Sequence, residues 1–328
     1  MSRVTALDVA RRAGVSRSAV SRTFTPGASV APTTADKVRE AATELGYRPN
    51  VLARAMLTGQ SRIIGLVVGY LDNQFYPQAL QQLSAALDSE GYHVLVFLAT
   101  NVDRTVDEIV EDILAYQVDG LVLASVALSS DLAQRCRASG VPVVLFNRRQ
   151  GVDNELAVVS ENRRGGQLAA EHLLSLGRRR IGYVAGWEGA STQIEREAGF
   201  VETLRAAGLD LYARGVGNFH RDQACTATRQ MFDRPDPPDA VFVGNDHMAF
   251  AVMDVLRSEL GLRVPQDVAV IGFDDVPEAS WAGYDLTTIR QDSAAMVDAT
   301  VAALLGETDP AGTIEIPVEL IVRSSTRG

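Results

Sequence analysis

The sequence predicts a two-part chain: an N-terminal three-helix helix-turn-helix unit, then an α/β core of two doubly wound parallel-sheet lobes. Three observations carry this expectation. Residues 1–62 hold ten Lys and Arg against four Asp and Glu, whereas the whole chain carries a net charge of −10. Inside that basic segment, DVARRAGVSRSAVSRTF (8–24) shows helical apolar spacing on both sides of a single glycine, Gly14. From residue 63 onward, short continuous apolar runs alternate with helical patterns, as in strands buried on both faces between helices.

The first helix begins at Thr5-Ala6-Leu7-Asp8, a capping box in which Thr and Asp each satisfy a backbone N–H of the other. Val9, Ala10 and Ala13 share one face, small enough for close crossing, and Gly14 supplies the positive φ that ends the helix. Ser16 caps a second helix, whose inner face is Val20, Thr23 and Phe24 and whose opposite face is Arg17, Ser18, Ser21 and Arg22. Arg11 and Arg12 belong to the first helix, where contact with a nucleic-acid backbone or plain solvation is expected. A third helix runs from Thr34 to Leu45 and stops at Gly46. Arginine forks match the O6/N7 edge of guanine, and short hydroxyls suit phosphates or either base. The outer face of the second helix therefore has the chemistry of a DNA reader, although an ordinary small bundle with a solvated face has the same spacing. NVLARAML (50–57) has helix-forming residues behind Asn50, but eight residues are too few to hold a helix unaided in water.

In the core, the apolar runs are IIGLVV (63–68), HVLVFLA (93–99), GLVLA (120–124), PVVLF (142–146), RIGYVAG (180–186), AVFVG (240–244) and VAVIGF (268–273). Helical patterns such as Phe75–Ser89 and Thr105–Ala115 separate them. Gly69, Gly186, Gly244 and Gly272 fall near strand C-terminal ends, where open α/β sheets bind ligands. Catalytic signatures are missing: no GxGxxG after the first strand, no P-loop, no GxSxG and no HExxH. Asp274-Asp275 follow a strand without a histidine or metal partner in the pattern, so no catalytic role is expected. Cys136 and Cys225 lack metal-ligand or disulfide-framework spacing, and His93, His172, His220 and His247 are scattered. No cofactor or metal is expected. No apolar run reaches the roughly 20 residues of a membrane-spanning helix, and the first residues lack the apolar core of a signal peptide. The expected location is the cytoplasm, with no membrane partner.

VTALDVARRAGVSRSAVSR and ELGYRPNVLARAM together resemble the N-terminal signature of the lactose-repressor/purine-repressor (LacI-type) family of bacterial regulators. The resemblance continues through DNQFYPQAL, VDGLVLAS, ENRRGGQLAAEHLLSLGRRRIGYVAG, STQIEREAGF, FVGNDHMAF, VPQDVAVIGFDD and LTTIRQD, and so covers essentially the whole chain. It implies a helix-turn-helix domain at 1–46, a hinge with a DNA-induced helix at 47–60, and an effector-binding, dimerising core at 61–328. That core is similar to periplasmic sugar-binding proteins, with one lobe at about 61–160 and 291–318 and the other at about 161–290 and 319–328.

The implied partners are a double-stranded palindromic DNA operator, a small-molecule effector and a second copy of the chain; the implied function is ligand-responsive repression. The runner-up is a soluble sugar-binding protein without a regulatory role, which leaves residues 1–57 unexplained. By the resemblance, Arg17, Ser18 and Arg22 read bases, Thr5, Ser16 and Ser21 touch phosphates, and Asn50, Ala53 and Met56 meet the minor groove. Met56 stands where the family wedges a leucine between base steps. Ala19 stands for the usual Thr, Thr25-Pro26 for Asn-Gly, and Ala31 for a capping Ser. Without a leucine-heptad tail after LIVRSSTRG, a dimer is expected rather than a tetramer. The effector pocket is implied to take Phe75, Tyr76, Ser125, Asn147 and Arg148 from one lobe, and Thr192, Arg196, Phe219, Asn245 and Asp274 from the other. Aromatic faces would sandwich the ligand while Asn, Asp and Arg fix its polar groups. Arg196 is the foremost candidate, with an ion pair to Asp274 as the structural alternative; two arginines point toward an anionic ligand such as a sugar acid, with other sugars and nucleosides as the alternatives.

Overall fold

Thr5 and Asp8 form the reciprocal cap, with the Thr5 amide donating to Asp8 Oδ2 at 2.9 Å, and start helix α1 (Ala6–Ala13). Gly14 ends it at φ +66°, a conformation a side chain resists. Helix α2 (Arg17–Thr23) follows directly, and α3 (Pro32–Leu45) closes a small core of Val9, Ala10, Val20, Val38, Ala41 and Ala42. The third helix starts two residues before the expected Thr34. Pro32 at its first turn has the right φ already set, and Ala31 offers no side-chain cap. Arg12 stays largely exposed, and its guanidinium pairs with Glu44 of α3 at 2.6 Å, a surface contact worth little in stability.

The structure, a computed structural model, describes residues 4–25, 27–48, 60–99, 105–126, 129–151, 156–306 and 312–327. The expected hinge helix with Asn50, Ala53 and Met56 lies outside these residues, as does Pro26.

The core contains two six-stranded sheets of matching topology. In the first, β1 (Ile63–Val68), β2 (His93–Leu98), β3 (Gly120–Ala124), β4 (Val143–Phe146) and β5 (Leu156–Ser160) are ordered 2-1-3-4-5, all parallel. In the second, β6 (Ile181–Ala185), β7 (Ala213–Val216), β8 (Ala240–Val243), β9 (Ala269–Asp274) and β10 (Thr287–Gln291) repeat the pattern as 7-6-8-9-10. The last two strands split between the sheets: β11 (Gly312–Ile316) joins β5 in parallel and β12 (Val318–Ile321) joins β10 antiparallel. Helices α4 (Phe75–Ser89), α5 (Val106–Leu114), α6 (Ser130–Ala138) and α11 (Ser293–Leu304) belong to the first lobe, and α7 (Asn162–Ser175), α8 (Ser191–Ala206), α9 (Arg221–Phe232) and α10 (Asp246–Asp254) to the second. None of the described helices is long and apolar enough to cross a membrane.

All seven expected strands form, but β2 does not show the two-sided burial its sequence suggested. It is the edge of its sheet, and Val96 and Leu98 are 40% and 46% exposed. Five further strands, β5, β7, β10, β11 and β12, lie outside the seven expected runs. β5, with the sequence LAVVS, is apolar and buried throughout, and β10 (TTIRQ) pairs on both sides, with β9 and β12. β7, β11 and β12 are sheet edges, where shorter or more polar sequences such as ARGV suffice because a strand pairs with them on one side only.

In the second lobe, α7 and α8 touch backbone to backbone. A Cβ on Gly166 would run into the Arg196 carbonyl, and one on Gly199 into the Arg163 carbonyl. Gly199→Ala is therefore expected to lower stability by about 1–3 kcal/mol through overpacking, read as a lower midpoint of thermal unfolding. An unchanged midpoint would show that the helices stand further apart.

Candidate functional site

On the helix-turn-helix unit, Val20 is buried at 0% exposure and fixes the rotation of α2. Arg17, Ser18, Ser21 and Arg22 are consequently all exposed, on the face opposite the core. Ser16 caps the helix by accepting the Ala19 amide at 3.2 Å, and its Oγ lies 2.9 Å from that of Ser18. Thr5 is also exposed, and its hydroxyl donates to Asp8 Oδ2 at 2.7 Å. The sequence-predicted DNA contacts within the described residues thus form outward-facing hydroxyls and two guanidiniums carried by a short, capped helix.

In the core, the C-terminal strand ends of the two lobes face one narrow cavity of about 10 Å3. The first lobe lines it with Tyr70, Asn73, Tyr76, Asn147 and Arg148, and the second with Thr192, Arg196, Phe219, Asn245 and Asp274. Tyr70 and Asn73 follow β1 and Asn147 follows β4. In the second lobe Asn245 follows β8 and Asp274 ends β9, so each lobe contributes where open parallel sheets bind ligands. The backbone is strained to do so. Asn147, Phe219 and Asp274 hold φ values of 70°, 63° and 130°, and Ser125 behind them 62°. Non-glycine residues adopt such values at a cost of order 1–3 kcal/mol, typically at functional sites.

Arg196 is held through two of its three nitrogens. Its Nε donates to Asn162 Oδ1 at 2.8 Å and Nη1 to the Gly244 carbonyl at 2.7 Å, and its guanidinium lies 3.5 Å from the centre of the Phe273 ring. Nη1 is also 3.8 Å from Asp274 Oδ1. Burial works against its charge, and the Asp274 carboxylate works for it. The ion pair weighed as the structural alternative therefore exists, in the wall of the cavity itself. Asp274 Oδ1 accepts the Gln291 amide at 2.7 Å, and Oδ2 is buried without a hydrogen-bond partner. Across the cavity, Asn147 donates to the Tyr76 hydroxyl at 3.0 Å, and that hydroxyl also bonds Ser125. Arg148 donates to the Tyr70 hydroxyl at 3.0 Å and the Ser125 carbonyl at 3.2 Å, with the Phe219 and Trp187 rings 5.4 and 5.8 Å away.

Two expected pocket residues stand behind the wall. Phe75 is 3% exposed and stacks on Phe146 in the core, because its side chain points inward from the first turn of α4 while Tyr76 points to the cavity. Ser125 holds Tyr76 and Arg148 without lining the cavity. Tyr70 and Asn73 also line it, and the sequence marks them only by their position soon after IIGLVV. Asp274 and Asp275 point apart: Asp275 pairs with Arg290 and Arg323, both at 2.7 Å, so the tandem carboxylates do not form an acid/base pair.

Beneath the cavity Asp246 is fully buried, accepting the Thr288 hydroxyl at 2.6 Å and the Val276 amide at 3.1 Å. Burial first, and the Asp274 charge second, raise its affinity for a proton. The folded chain thus binds a proton that the unfolded chain, with an ordinary carboxyl near pKa 4, has released. This contribution to stability is fully present below about pH 4 and is lost as pH rises toward the raised folded value. Stability from this group should fall between about pH 5 and pH 8, and Asp246→Asn, which mimics the protonated acid, should flatten that slope in denaturant titrations. An unaltered slope would assign the pH dependence elsewhere.

Comparison with known proteins agrees with this arrangement. Residues 5–50 match the family described as bacterial regulatory proteins, lacI family, and residues 170–326 match a periplasmic binding protein-like domain. The chain is 35% identical to the HTH-type transcriptional regulator CelR of Thermobifida fusca, over 97% of this chain and 96% of the relative. It is 32% identical to the ribose operon repressor of Escherichia coli K12, over 87% of each. Among solved structures, a lac repressor dimer bound to operator and the anti-inducer ONPF superposes with a TM-score of 0.86 at 29% identity, covering 99% of both chains. A CelR–cellobiose complex gives 0.71 at 32% identity, covering 98% of this chain and 100% of that one. With whole-length relatives that are regulators rather than enzymes, a lacI-type DNA-binding unit and a periplasmic-binding-protein-like core, the chain belongs to the LacI family of bacterial transcriptional regulators.

Proposed function

We propose that the protein is a cytoplasmic repressor that binds a palindromic operator as a homodimer and responds to a small polar metabolite of the sugar or sugar-acid kind. The observation that carries this reading is the presence, in one chain, of an outward arginine–hydroxyl face on α2 and a polar cavity between two lobes. Arg17, Ser18 and Arg22 read base edges from the major groove, while Thr5, Ser16 and Ser21 contact phosphates. Asn50, Ala53 and Met56 sit at the operator centre, Met56 wedging between base steps in the minor groove. The dimer assignment is supported by the similarity to the operator-bound lac repressor dimer.

The charge distribution fits this division of labour. Residues beyond 62 carry −16, which repels DNA and confines its contact to the basic N-terminal segment. In the core, Tyr76, Asn147, Arg148, Thr192, Arg196, Phe219, Asn245 and Asp274 enclose the effector. Because the cavity walls come from both lobes, a ligand there favours one arrangement of the lobes over others, and its differential affinity shifts the DNA-competent population.

The test is a gel shift on the palindrome nearest the protein's own gene, at fixed salt because phosphate contacts make affinity salt-dependent. Arg17→Ala and Arg22→Ala should each lose about 1–3 kcal/mol and relax sequence preference. Unaltered affinity and preference in both variants would overturn the recognition-face assignment. Met56→Ala should weaken specific binding more than non-specific binding; equal losses on both DNAs would rule out a wedge.

A further inference from the structure

We infer that Arg149 is a strap that holds the two lobes shut. Its guanidinium and its main chain tie the loop after β4 to the start of α8, and the cleft opens only when this tie is released. The consequence for ligand entry rests on the reading of the cleft as the effector site; the strap itself is a property of the chain alone.

A cavity of about 10 Å3 has room for about one water, so no metabolite enters the cleft while the lobes stand in this arrangement. Entry requires them to part, as in hinge motion around a ligand. What resists parting is what spans the cleft. The loop after β4 belongs to the first lobe, and the segment from Trp187 into the first turns of α8 belongs to the second. Between them the Arg149 amide donates to Ser191 Oγ at 2.9 Å, and the Arg149 guanidinium pairs with Glu195, one turn further along α8. The same guanidinium lies 3.8 Å from Glu315 on β11, back in the first lobe. One cation therefore sits between a carboxylate of each lobe, and the backbone beside it is tied as well.

The setting makes this pair stronger than its counterparts on the surface. Arg229–Glu259 and Arg263–Asp267 each lie in solvent within the second lobe, where screening leaves them little to contribute. The Arg149 and Glu195 side chains are only 33% and 20% exposed, so water screens their attraction less. Arg148 follows the same path across the cleft, with its guanidinium 5.4 Å from the Phe219 ring and 5.8 Å from the Trp187 ring, both in the second lobe. Elsewhere along the cleft the lobes meet through a longer contact, His247 Nδ1 at 3.3 Å from Gln74 Oε1. The shut form is thus held by the chain's own side chains, and the strength of the strap sets the population of the open form through which a ligand enters.

Trp187 gives the readout. It is 51% exposed, and the first-lobe Arg148 lies over its ring. The chain has two tryptophans, so Trp281→Phe leaves Trp187 as the sole emitter. In that background, acrylamide quenching of the full-length protein without ligand should rise in Arg149→Met and in Glu195→Gln. The ceiling is about twofold, the gain that complete uncovering of a half-exposed ring allows, and the shift in population sets the fraction reached. The double variant should match the single ones, because the two side chains act as one contact. Arg149→Lys, which keeps the charge, should retain part of the protection. Arg149→Cys combined with Ser191→Cys places a disulfide where the 2.9 Å bond now runs. Oxidised, this variant should protect Trp187 as its parent does; reduced, it should be quenched like Arg149→Met. Far-UV dichroism and thermal unfolding confirm that each variant is folded. Parental quenching in either single variant, additive effects in the double variant, failure of the disulfide to form, or no change on reducing it would each overturn the inference. No ligand enters these measurements. A thermal-shift screen of small metabolites without a hit therefore counts against the effector reading and leaves the strap's signal as it is.

Discussion

The buried guanidinium of Arg196 is the interaction on which the cavity between the lobes depends. A charge this deep survives only if its donors are matched, and the matching draws in the start of α7 through Asn162, the end of β8 through Gly244, and the end of β9 through Phe273 and Asp274. These elements are far apart in sequence, and satisfying one side chain fixes their mutual placement. The glycines at 166 and 199 make this possible, since only bare backbones let α7 and α8 come close enough for Asn162 and Arg196 to meet. A packing requirement and an electrostatic one therefore share a single solution.

That solution has a functional consequence. Arg196 and Asp274 offset each other's charge at 3.8 Å in the wall of the second lobe, and one oxygen of Asp274 is held by Gln291. In the first lobe Arg148 leans on neutral partners, so each lobe brings a guanidinium to the cavity. The buried Asp246 below adds a proton-dependent element to the same wall.

The DNA-binding unit follows a different logic. Its geometry is local: caps at Thr5 and Ser16, a left-handed glycine, and one fully buried valine determine which way four polar side chains face. Little there depends on contacts distant in sequence, and the same residues that stop and start the helices also aim Arg17 and Arg22.

This contrast explains what each level decided. By itself, the sequence determined the helical unit almost to the residue, the seven apolar strands and the family resemblance. These depend on capping chemistry, glycine placement and hydrophobic runs, all of which act over a few residues. It also named eight of the ten residues that line the cavity, through resemblance rather than periodicity. Only the tertiary structure showed that Phe75 turns into the core, that Ser125 supports rather than lines, that Tyr70 and Asn73 complete the wall, and that β2 is an edge. It also set apart two arginines that look alike in a sequence: Arg196 faces Asp274 at 3.8 Å, whereas Arg148 leans on the Tyr70 hydroxyl and the Ser125 carbonyl. The surroundings of a charge depend on what lies within about 4 Å of it, and here those neighbours come from segments as much as 78 positions away, as Tyr70 is from Arg148.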